Sequence, residues 1–180
     1  MIDVVFMDKS REIEDFGKKL GFSKILFKED IKNLNIVKSG SEEFNRNSLE
    51  DRKTDILLNP HLNKKKDALN YRNSGLNDVL CKLAFKNEIA IGFTFDEIKD
   101  EIDLGRIMQN IVLCRKYKFN VVFFTFARNK YEMKGCQDLL SFLRVIGFAP
   151  GEAKNALENI EKLFNKKKYI MKGFRVLKDD

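Results

Sequence analysis

Basic side chains are concentrated in one stretch of the sequence that could bind a polyanion. Between Gly105 and Lys134 there are seven basic residues and one acidic residue, a net charge of +6 in a chain of 180 residues with a net charge of +7. Such a surplus of Lys and Arg is typical of proteins that bind phosphate backbones. The triplets Lys64–Lys66 and Lys166–Lys168 add two smaller basic clusters. A solvated surface is the alternative for the triplets, whereas the long stretch favours RNA or DNA as a partner.

A second candidate for phosphate binding is the string Tyr71-Arg72-Asn73-Ser74-Gly75-Leu76-Asn77. Asn, Ser and Gly favour a sharp turn, and a purely structural turn is one interpretation of the string. That interpretation leaves Arg72 unexplained. Its guanidinium, next to hydroxyl and amide donors and the start of the next helix, could bind a phosphate.

Residues suited to catalysis or to metal binding are few. The chain has one histidine, His61, and three cysteines without a Cys-x-x-Cys motif, which excludes imidazole-rich metal centres and the usual zinc clusters. Its carboxylates are scattered, and nothing in their spacing pairs two of them for acid–base work. We therefore expect no catalytic residue and no metal ligand in this chain.

Short apolar runs alternate with amphipathic stretches along the chain. The pattern predicts strands over residues 2–7, 23–27, 35–38, 54–58, 89–95, 120–126 and 169–177, and helices over 10–20, 64–71, 76–87, 103–117, 139–146 and 151–164, with a loop over 39–53. Such alternation is typical of an α/β fold with a mostly parallel sheet, here as one domain over residues 1–180. Eight-fold barrels rarely have fewer than about 200 residues, so any barrel must be compact or incomplete.

The helix predicted over residues 103–117 carries several polar candidates. At 100° per residue, Arg106, Gln109 and Asn110 lie opposite its apolar stripe, where we expect them to be exposed. Arg115 lies near the centre of the stripe, and a cation there needs a carboxylate partner or a route to solvent.

The cell compartment is predicted from what the sequence lacks. It shows no N-terminal signal pattern, and its longest apolar run, Val121–Ala127, is far shorter than the roughly 20 residues of a membrane helix. Together with the odd number of cysteines, these absences predict a soluble protein of the reducing cytoplasm.

Several strings between Thr54 and Leu163 resemble a known family, the TIM-barrel protein subunit of archaeal and eukaryotic ribonuclease P. They are Lys64–Asp67, Tyr71–Ala84, Ile89–Phe93, Gly105–Tyr117, Tyr131–Met133 with Asp138, Leu139 and Phe142, and Pro150–Lys154. The segments Arg72–Asn77 and Leu80–Ala84 are the most specific of these. The first fifty residues agree only in their order of strands and helices.

The resemblance implies a fold and a function. The fold would be a TIM-like barrel, similar to the metal-dependent phosphoesterases of the polymerase and histidinol phosphatase type. The function would be that of a protein subunit of an RNA enzyme that removes the 5′ leader of precursor tRNA. The RNA would supply the chemistry with Mg²⁺, and a small ferredoxin-like protein subunit would be the partner, in several members within a heterotetramer.

The same resemblance supplies the alternative function, that of a metal-dependent phosphoesterase. Those enzymes place a His-x-His pair beside the first strand, where this chain reads Val4-Val5-Phe6-Met7-Asp8. We therefore expect an RNA-binding subunit. Its predicted RNA-binding residues are Lys64, Lys65, Lys66, Arg72, Asn73, Ser74, Arg106, Gln109, Asn110, Arg115, Lys116 and Arg128.

Overall fold

A computed structural model describes residues 1–63, 66–166, 169–171 and 174–175. In these ranges the strands are β1 (Ile2–Val4), β2 (Lys24–Leu26), β3 (Ile36–Lys38), β4 (Ile56–Leu58), β5 (Ala90–Thr94), β6 (Val121–Phe124), β7 (Tyr169–Met171) and β8 (Phe174–Arg175). The helices are α1 (Arg11–Lys19), α2 (Glu42–Glu50), α3 (Asp78–Lys86), α4 (Glu101–Tyr117), α5 (Cys136–Val145) and α6 (Pro150–Lys166).

The first six strands pair in parallel, as the alternating pattern predicts, but in two groups. Strands β3, β4, β5 and β6 pair in that order, and β1 pairs with β2, all in parallel. The two groups meet where the Phe126 N–H donates to the Val4 carbonyl oxygen at 3.0 Å and the Phe6 N–H donates to the Ala127 carbonyl oxygen at 2.8 Å. Among the described residues no strand pairing joins β2 to β3, so the barrel is incomplete, as the chain length predicts.

A buried carboxylate completes the contact between β1 and β6. Asp3 is fully buried and accepts hydrogen bonds from the Thr125 N–H at 2.7 Å and the Thr125 hydroxyl at 2.6 Å. Burial disfavours the charged form and raises the pKa of Asp3 to about 6, although the bonds from Thr125 oppose the shift. The side chain thus replaces part of the backbone hydrogen bonding between these strands.

The core has two apolar layers, as expected when alternate side chains of a curved sheet face the barrel interior and the outer helices. The inner layer comes from β1, β2, β4, β5 and β6 and is capped by Ile160 of α6; its members are Ile2, Val4, Leu26, Ile56, Leu58, Ala90, Val122 and Phe124. The neighbouring positions Leu57, Ile91, Phe93 and Phe123 belong to the outer layer between the sheet and the helices.

Two of the predicted elements were wrong. The loop predicted over residues 39–53 contains helix α2, because Ser41 caps its first turn and Asn45 and Leu49 bury one face. The helix predicted over residues 64–71 is absent from its described part, residues 66–71. These residues turn back on themselves through an isolated bridge between Ala68 and Tyr71.

The end of the chain departs from the prediction of one closing strand. Residues 169–171 and 174–175 pair as antiparallel strands β7 and β8, and positions 172, 173, 176 and 177 of the predicted strand lie outside the described residues. None of the described helices is both long enough and apolar enough to cross a membrane.

Candidate nucleic-acid interface

The candidate interface is built on the long loop that follows β4, here called the Asn59–Asn77 loop. Asn59 begins it in a left-handed conformation (φ 53°), and its side-chain amide joins the ends of β4 and β5. The amide nitrogen donates to the Thr94 hydroxyl at 3.0 Å, and the amide oxygen accepts from the Thr94 N–H at 3.0 Å. A short helical turn, Pro60–Leu62, then directs the loop across α4.

Gly75 lets the two ends of the loop touch. It has a φ of +80°, and a Cβ atom there would lie 1.8 Å from the Pro60 carbonyl oxygen. Any other side chain would push the backbone of residue 75 away from Pro60, since that oxygen cannot move freely. The glycine of the turn predicted from sequence is therefore needed for close packing as well as for its conformation.

Arg106 of α4 holds the loop from below. Its guanidinium bonds Asp67 twice, through Nε at 2.9 Å and Nη2 at 2.8 Å. Its Nη1 donates to the carbonyl oxygens of His61 at 3.1 Å and Asn63 at 3.2 Å. The side chain is only 9% exposed. Arg106 was expected on an exposed face, but the loop covers that face of the helix.

Asp67 is the centre of this arrangement. It also accepts a hydrogen bond from the Asn73 N–H at 2.9 Å. Partial burial alone would raise the pKa of Asp67, but the bonds from Asn73 and Arg106 outweigh it and the pKa is lowered. Sequence reasoning gave this carboxylate no role, because its main partner lies 39 positions away.

Arg72 uses the same carboxylate but remains available to a ligand. Its Nη1 lies 3.5 Å from Asp67, and its side chain is 48% exposed. The guanidinium lies against α4 at Gly105, where a Cβ atom would come within 2.6 Å of its Cζ. The smallest residue at position 105 thus lets the exposed cation lie flat on the helix.

Three other polar side chains below the loop are buried. The Asn110 amide donates to the Ser74 carbonyl oxygen at 2.9 Å. The Ser74 hydroxyl, the Asn110 amide oxygen and both ring nitrogens of His61 form no hydrogen bond of good geometry among the described residues. Burial lowers the pKa of His61 to about 4, against the opposing fields of Asp103 and Glu97. His61 is therefore neutral at pH 7 and is a core residue.

Arg115 and Lys116 lie at the other end of α4, about 13 Å from Arg106 at 1.5 Å per residue. Arg115 grips Glu152 of α6 with two hydrogen bonds, at 2.9 and 2.7 Å, and donates to the Gly147 carbonyl oxygen at 2.9 Å. The predicted carboxylate partner is confirmed, but the side chain is 51% exposed, because this end of α4 lies at the surface. Lys116 lies 3.7 Å from Asp78.

Arg128 lies at a third place, after β6. Its guanidinium is 3.5 Å from Asp96, and both residues line a cavity together with Lys99, Glu132 and Lys134. The loops after β5 and β6 form this cavity, which does not share a lining residue with the Asn59–Asn77 loop.

In the folded structure the basic stretch of residues 105–134 is partly neutralised by acids from other parts of the chain. Five of its seven basic residues lie within 4 Å of acids outside the stretch: Arg106 with Asp67, Arg115 with Glu152, Lys116 with Asp78, Arg128 with Asp96 and Lys130 with Glu12. The net charge of +6 overstates the positive field because folding brings these acids to the basic side chains.

The predicted RNA-binding residues thus divide into groups. Six of them meet at the Asn59–Asn77 loop and the adjoining part of α4, with Lys66 at the edge: Arg72, Asn73, Ser74, Arg106, Gln109 and Asn110. Lys64 and Lys65 lie outside the described residues. In the described part of the chain, no three His, Cys, Asp or Glu side chains are grouped so that they could hold a metal ion.

Comparison with known sequences identifies the family. The sequence model described as RNase P subunit p30 matches residues 21–172. This chain belongs to the RNase P subunit p30 family. The match includes the Asn59–Asn77 loop and all of α4, and it confirms the resemblance seen in the residues.

Curated members of the p30 family include Ribonuclease P protein component 3 of Methanosarcina mazei, which is 33% identical over 81% of this chain and 62% of its own length. The protein of the same name from Methanocaldococcus jannaschii is 29% identical over 81% of this chain and 64% of its own length. This chain thus spans about three fifths of the length of these relatives.

A solved structure shares the fold. It is a chain in the cryo-EM structure of archaeal ribonuclease P with mature tRNA, with a TM-score of 0.68 and 24% identity. The likeness covers 99% of this chain and 89% of that one. It confirms the α/β architecture with an incomplete barrel.

Proposed function

We propose that this p30-family chain is a protein subunit of ribonuclease P that binds the catalytic RNA and carries no catalytic group of its own. Family membership supports this role, because the curated relatives are named as components of ribonuclease P. The alternative, a metal-dependent phosphoesterase, is not favoured by the family match.

One observation carries the RNA-binding part of the proposal: two guanidinium groups share a single carboxylate. Asp67 bonds Arg106 twice at short distance and meets Arg72 only at 3.5 Å. The pair Arg106–Asp67 is close to neutral, so Arg72 gives the surface of the loop a surplus positive charge. A charge-assisted bond to a phosphate would be a better partner for Arg72 than its present contact.

The described geometry supports different roles for the predicted residues in this function. Arg106, Asn110 and Ser74 would support the loop from below, whereas Arg72, Asn73, Gln109 and Lys66 would face the RNA. Arg115, Lys116 and Arg128 would contact phosphates at other places, and Lys64 and Lys65, which lie outside the described residues, would add to the RNA-binding surface. Neutralising phosphates where RNA strands approach one another would lower the Mg²⁺ concentration that the RNA needs for folding and cleavage.

The proposal includes partners and a location. A small ferredoxin-like protein subunit would bind this chain, within a heterotetramer in its doubled form, and precursor tRNA would be held indirectly through the RNA. This chain would bind no cofactor, Mg²⁺ would be bound by the RNA, and the complex would work in the cytoplasm.

The proposal is tested by cleavage of precursor tRNA by ribonuclease P RNA at low Mg²⁺. The reaction is run with this protein alone, with the small subunit alone, with both proteins, and with both proteins but no RNA. Cleavage only when the RNA and both proteins are present is the expected result. Chelator-sensitive cleavage without the RNA would contradict the proposal and would favour a phosphoesterase.

A further inference from the structure

Two adjoining cavities flank one ridge on the candidate interface. The larger, of about 880 Å³, lies between the start of α2, the Asn59–Asn77 loop and α4, and the smaller, of about 680 Å³, lies between residues 67–72 and α4. Three side chains line both cavities and define the ridge: Tyr71, Arg72 and Gln109. Both volumes lie within the roughly 300–1,000 Å³ of small-molecule sites.

The fold does not use the functional groups of this ridge. Tyr71 is 61% exposed, and neither its hydroxyl nor the Gln109 amide makes a hydrogen bond among the described residues. Among the described residues, the Arg72 guanidinium makes one polar contact, the 3.5 Å contact with Asp67. An aromatic ring, a cation and an amide thus lie together with little part in the hydrogen bonding of the described chain. These groups suit a nucleotide, because the ring can stack on a base and the cation can bind its phosphate.

The far wall of the larger cavity has a different character. It carries the Glu42 carboxylate, which accepts a hydrogen bond from the Asn77 amide at 2.8 Å, and the Asn63 amide. A carboxylate disfavours a phosphate in its neighbourhood, whereas the Arg72 cation on the ridge attracts one. The charges therefore place the phosphate at the ridge, next to Arg72, and the base inside the cavity.

We propose that the ridge of Tyr71, Arg72 and Gln109 binds a single-stranded segment of RNA, with one unstacked base in the larger cavity. Tyr71 stacks on that base or on its neighbour, Arg72 binds the phosphate between them, and Gln109 bonds the base edge. The inference rests on the proposed RNA-binding function and specifies its ligand. A duplex cannot occupy the site, because its bases are paired and stacked within the helix.

The site needs few aromatic side chains. The chain has no Trp and no aromatic RNA-recognition signature, which disfavours base-specific readout. A single exposed tyrosine beside a cavity is enough for one base. Stacking accepts every base, because each has a π face, so we expect a preference for single strands with little preference for sequence.

Binding of a labelled ten-nucleotide uridine strand and of a ten-base-pair RNA duplex tests the proposal, by fluorescence anisotropy at one fixed salt concentration. The wild-type chain is compared with Tyr71→Ala, Tyr71→Phe and the matched control Tyr131→Ala, which removes an exposed tyrosine outside both cavities. Thermal melting confirms that each variant is folded.

We expect Tyr71→Ala to weaken binding of the uridine strand by about 5- to 100-fold, the usual range for loss of one stacked base. Binding of the duplex should stay the same, Tyr71→Phe should bind like the wild type, and Tyr131→Ala should have no effect. Unchanged binding of the uridine strand by Tyr71→Ala, or an equal loss for strand and duplex, would overturn the proposal.

The same series separates this inference from the proposed function. Binding of ribonuclease P RNA that is unaffected by Tyr71→Ala would remove the base site and leave the subunit role intact. Failure of the wild-type chain to bind ribonuclease P RNA at all would remove both.

Discussion

The two ends of α4 use arginine in opposite ways. Near its start, Arg106 is buried under the Asn59–Asn77 loop and bonds a carboxylate and two carbonyl oxygens; near its end, Arg115 is half exposed and holds Glu152 of α6. The helical pattern predicted the reverse exposure for both. The difference shows that the apolar stripe of a helix does not define all of its buried surface. A long loop can pack against the polar face and bury it too.

The comparison also separates support from binding. Arg115 and Lys116 each have a carboxylate of their own, whereas at the loop Arg106 and Arg72 share Asp67. Asp67 therefore leaves one of its two cations unneutralised at the loop. Substitution of Arg106 should therefore lower the stability of the fold, and substitution of Arg72 should weaken RNA binding.

The largest expected effect is that of Arg106→Ala. The substitution removes both short bonds to Asp67 and the donor to two carbonyl oxygens, so the free energy of unfolding should fall by roughly 3–5 kcal/mol. Urea denaturation measures the loss. Arg115→Ala is the matched variant at the other end of α4, and the loss of an exposed pair of this kind should lower stability much less. Equal losses of stability for the two variants would contradict the difference in burial between Arg106 and Arg115.

The next largest loss of stability is expected for Gly75→Ala. Its Cβ atom meets the Pro60 carbonyl oxygen, and the left-handed φ disfavours alanine, so we expect a loss of about 1–3 kcal/mol and a displaced loop. The control is Gly151→Ala in the first turn of α6, where nothing lies within 4 Å of the added atom. Thermal melting of both variants measures the difference. A Gly75→Ala protein as stable as the control would contradict the close contact between Gly75 and the Pro60 carbonyl oxygen.

An effect confined to acidic pH is expected from His61. Its pKa is about 4 in the folded chain and about 6.5 when unfolded, so the unfolded state takes up the proton first as pH falls. His61 therefore costs stability between pH 6.5 and pH 4, by up to ~1.4 kcal/mol per pH unit. Asp3, with its folded pKa raised to about 6, acts in the opposite direction and gains stability as pH falls through the same range.

Comparing the wild type with His61→Gln by urea denaturation at pH 7, 5.5 and 4.5 isolates the histidine. Relative to the wild type, the variant should gain stability as the pH is lowered, because it has no imidazole to protonate. A difference between the two proteins that does not change with pH would mean that His61 is not buried in its neutral form.

The sequence predicted most strands and helices because their apolar spacing is regular and local. Helix α2 was missed because only Phe44 and Leu49 interrupt its polar run, although the Ser41 cap and the acidic first turn were signals of a helix start. The helix predicted over residues 64–71 is absent from residues 66–71, the part that the structure describes, because a tertiary partner, Arg106, binds Asp67 there. Propensity cannot report such a partner.

The RNA-binding residues stay a prediction, and the structure shows which of them lie together. The Arg72–Asn77 string belongs to the loop, and the 105–117 segment belongs to the helix against which the loop packs. The pairing of cations with distant acids, such as Arg115 with Glu152, depends on the fold and leaves no trace in local spacing. Counting charges along the chain therefore overestimates the positive field of this region.

The account is tested most directly by the salt dependence of binding to ribonuclease P RNA, measured for the wild type, Arg72→Ala and the exposed control Arg144→Ala. Loss of one phosphate contact should reduce the slope of log affinity against log salt by about 0.7–0.9 for Arg72→Ala, with stability unchanged. Arg144→Ala on α5, which lies outside the predicted set, should keep the wild-type slope. A folded Arg72→Ala protein with the wild-type slope would contradict the claim that the Asn59–Asn77 loop binds RNA.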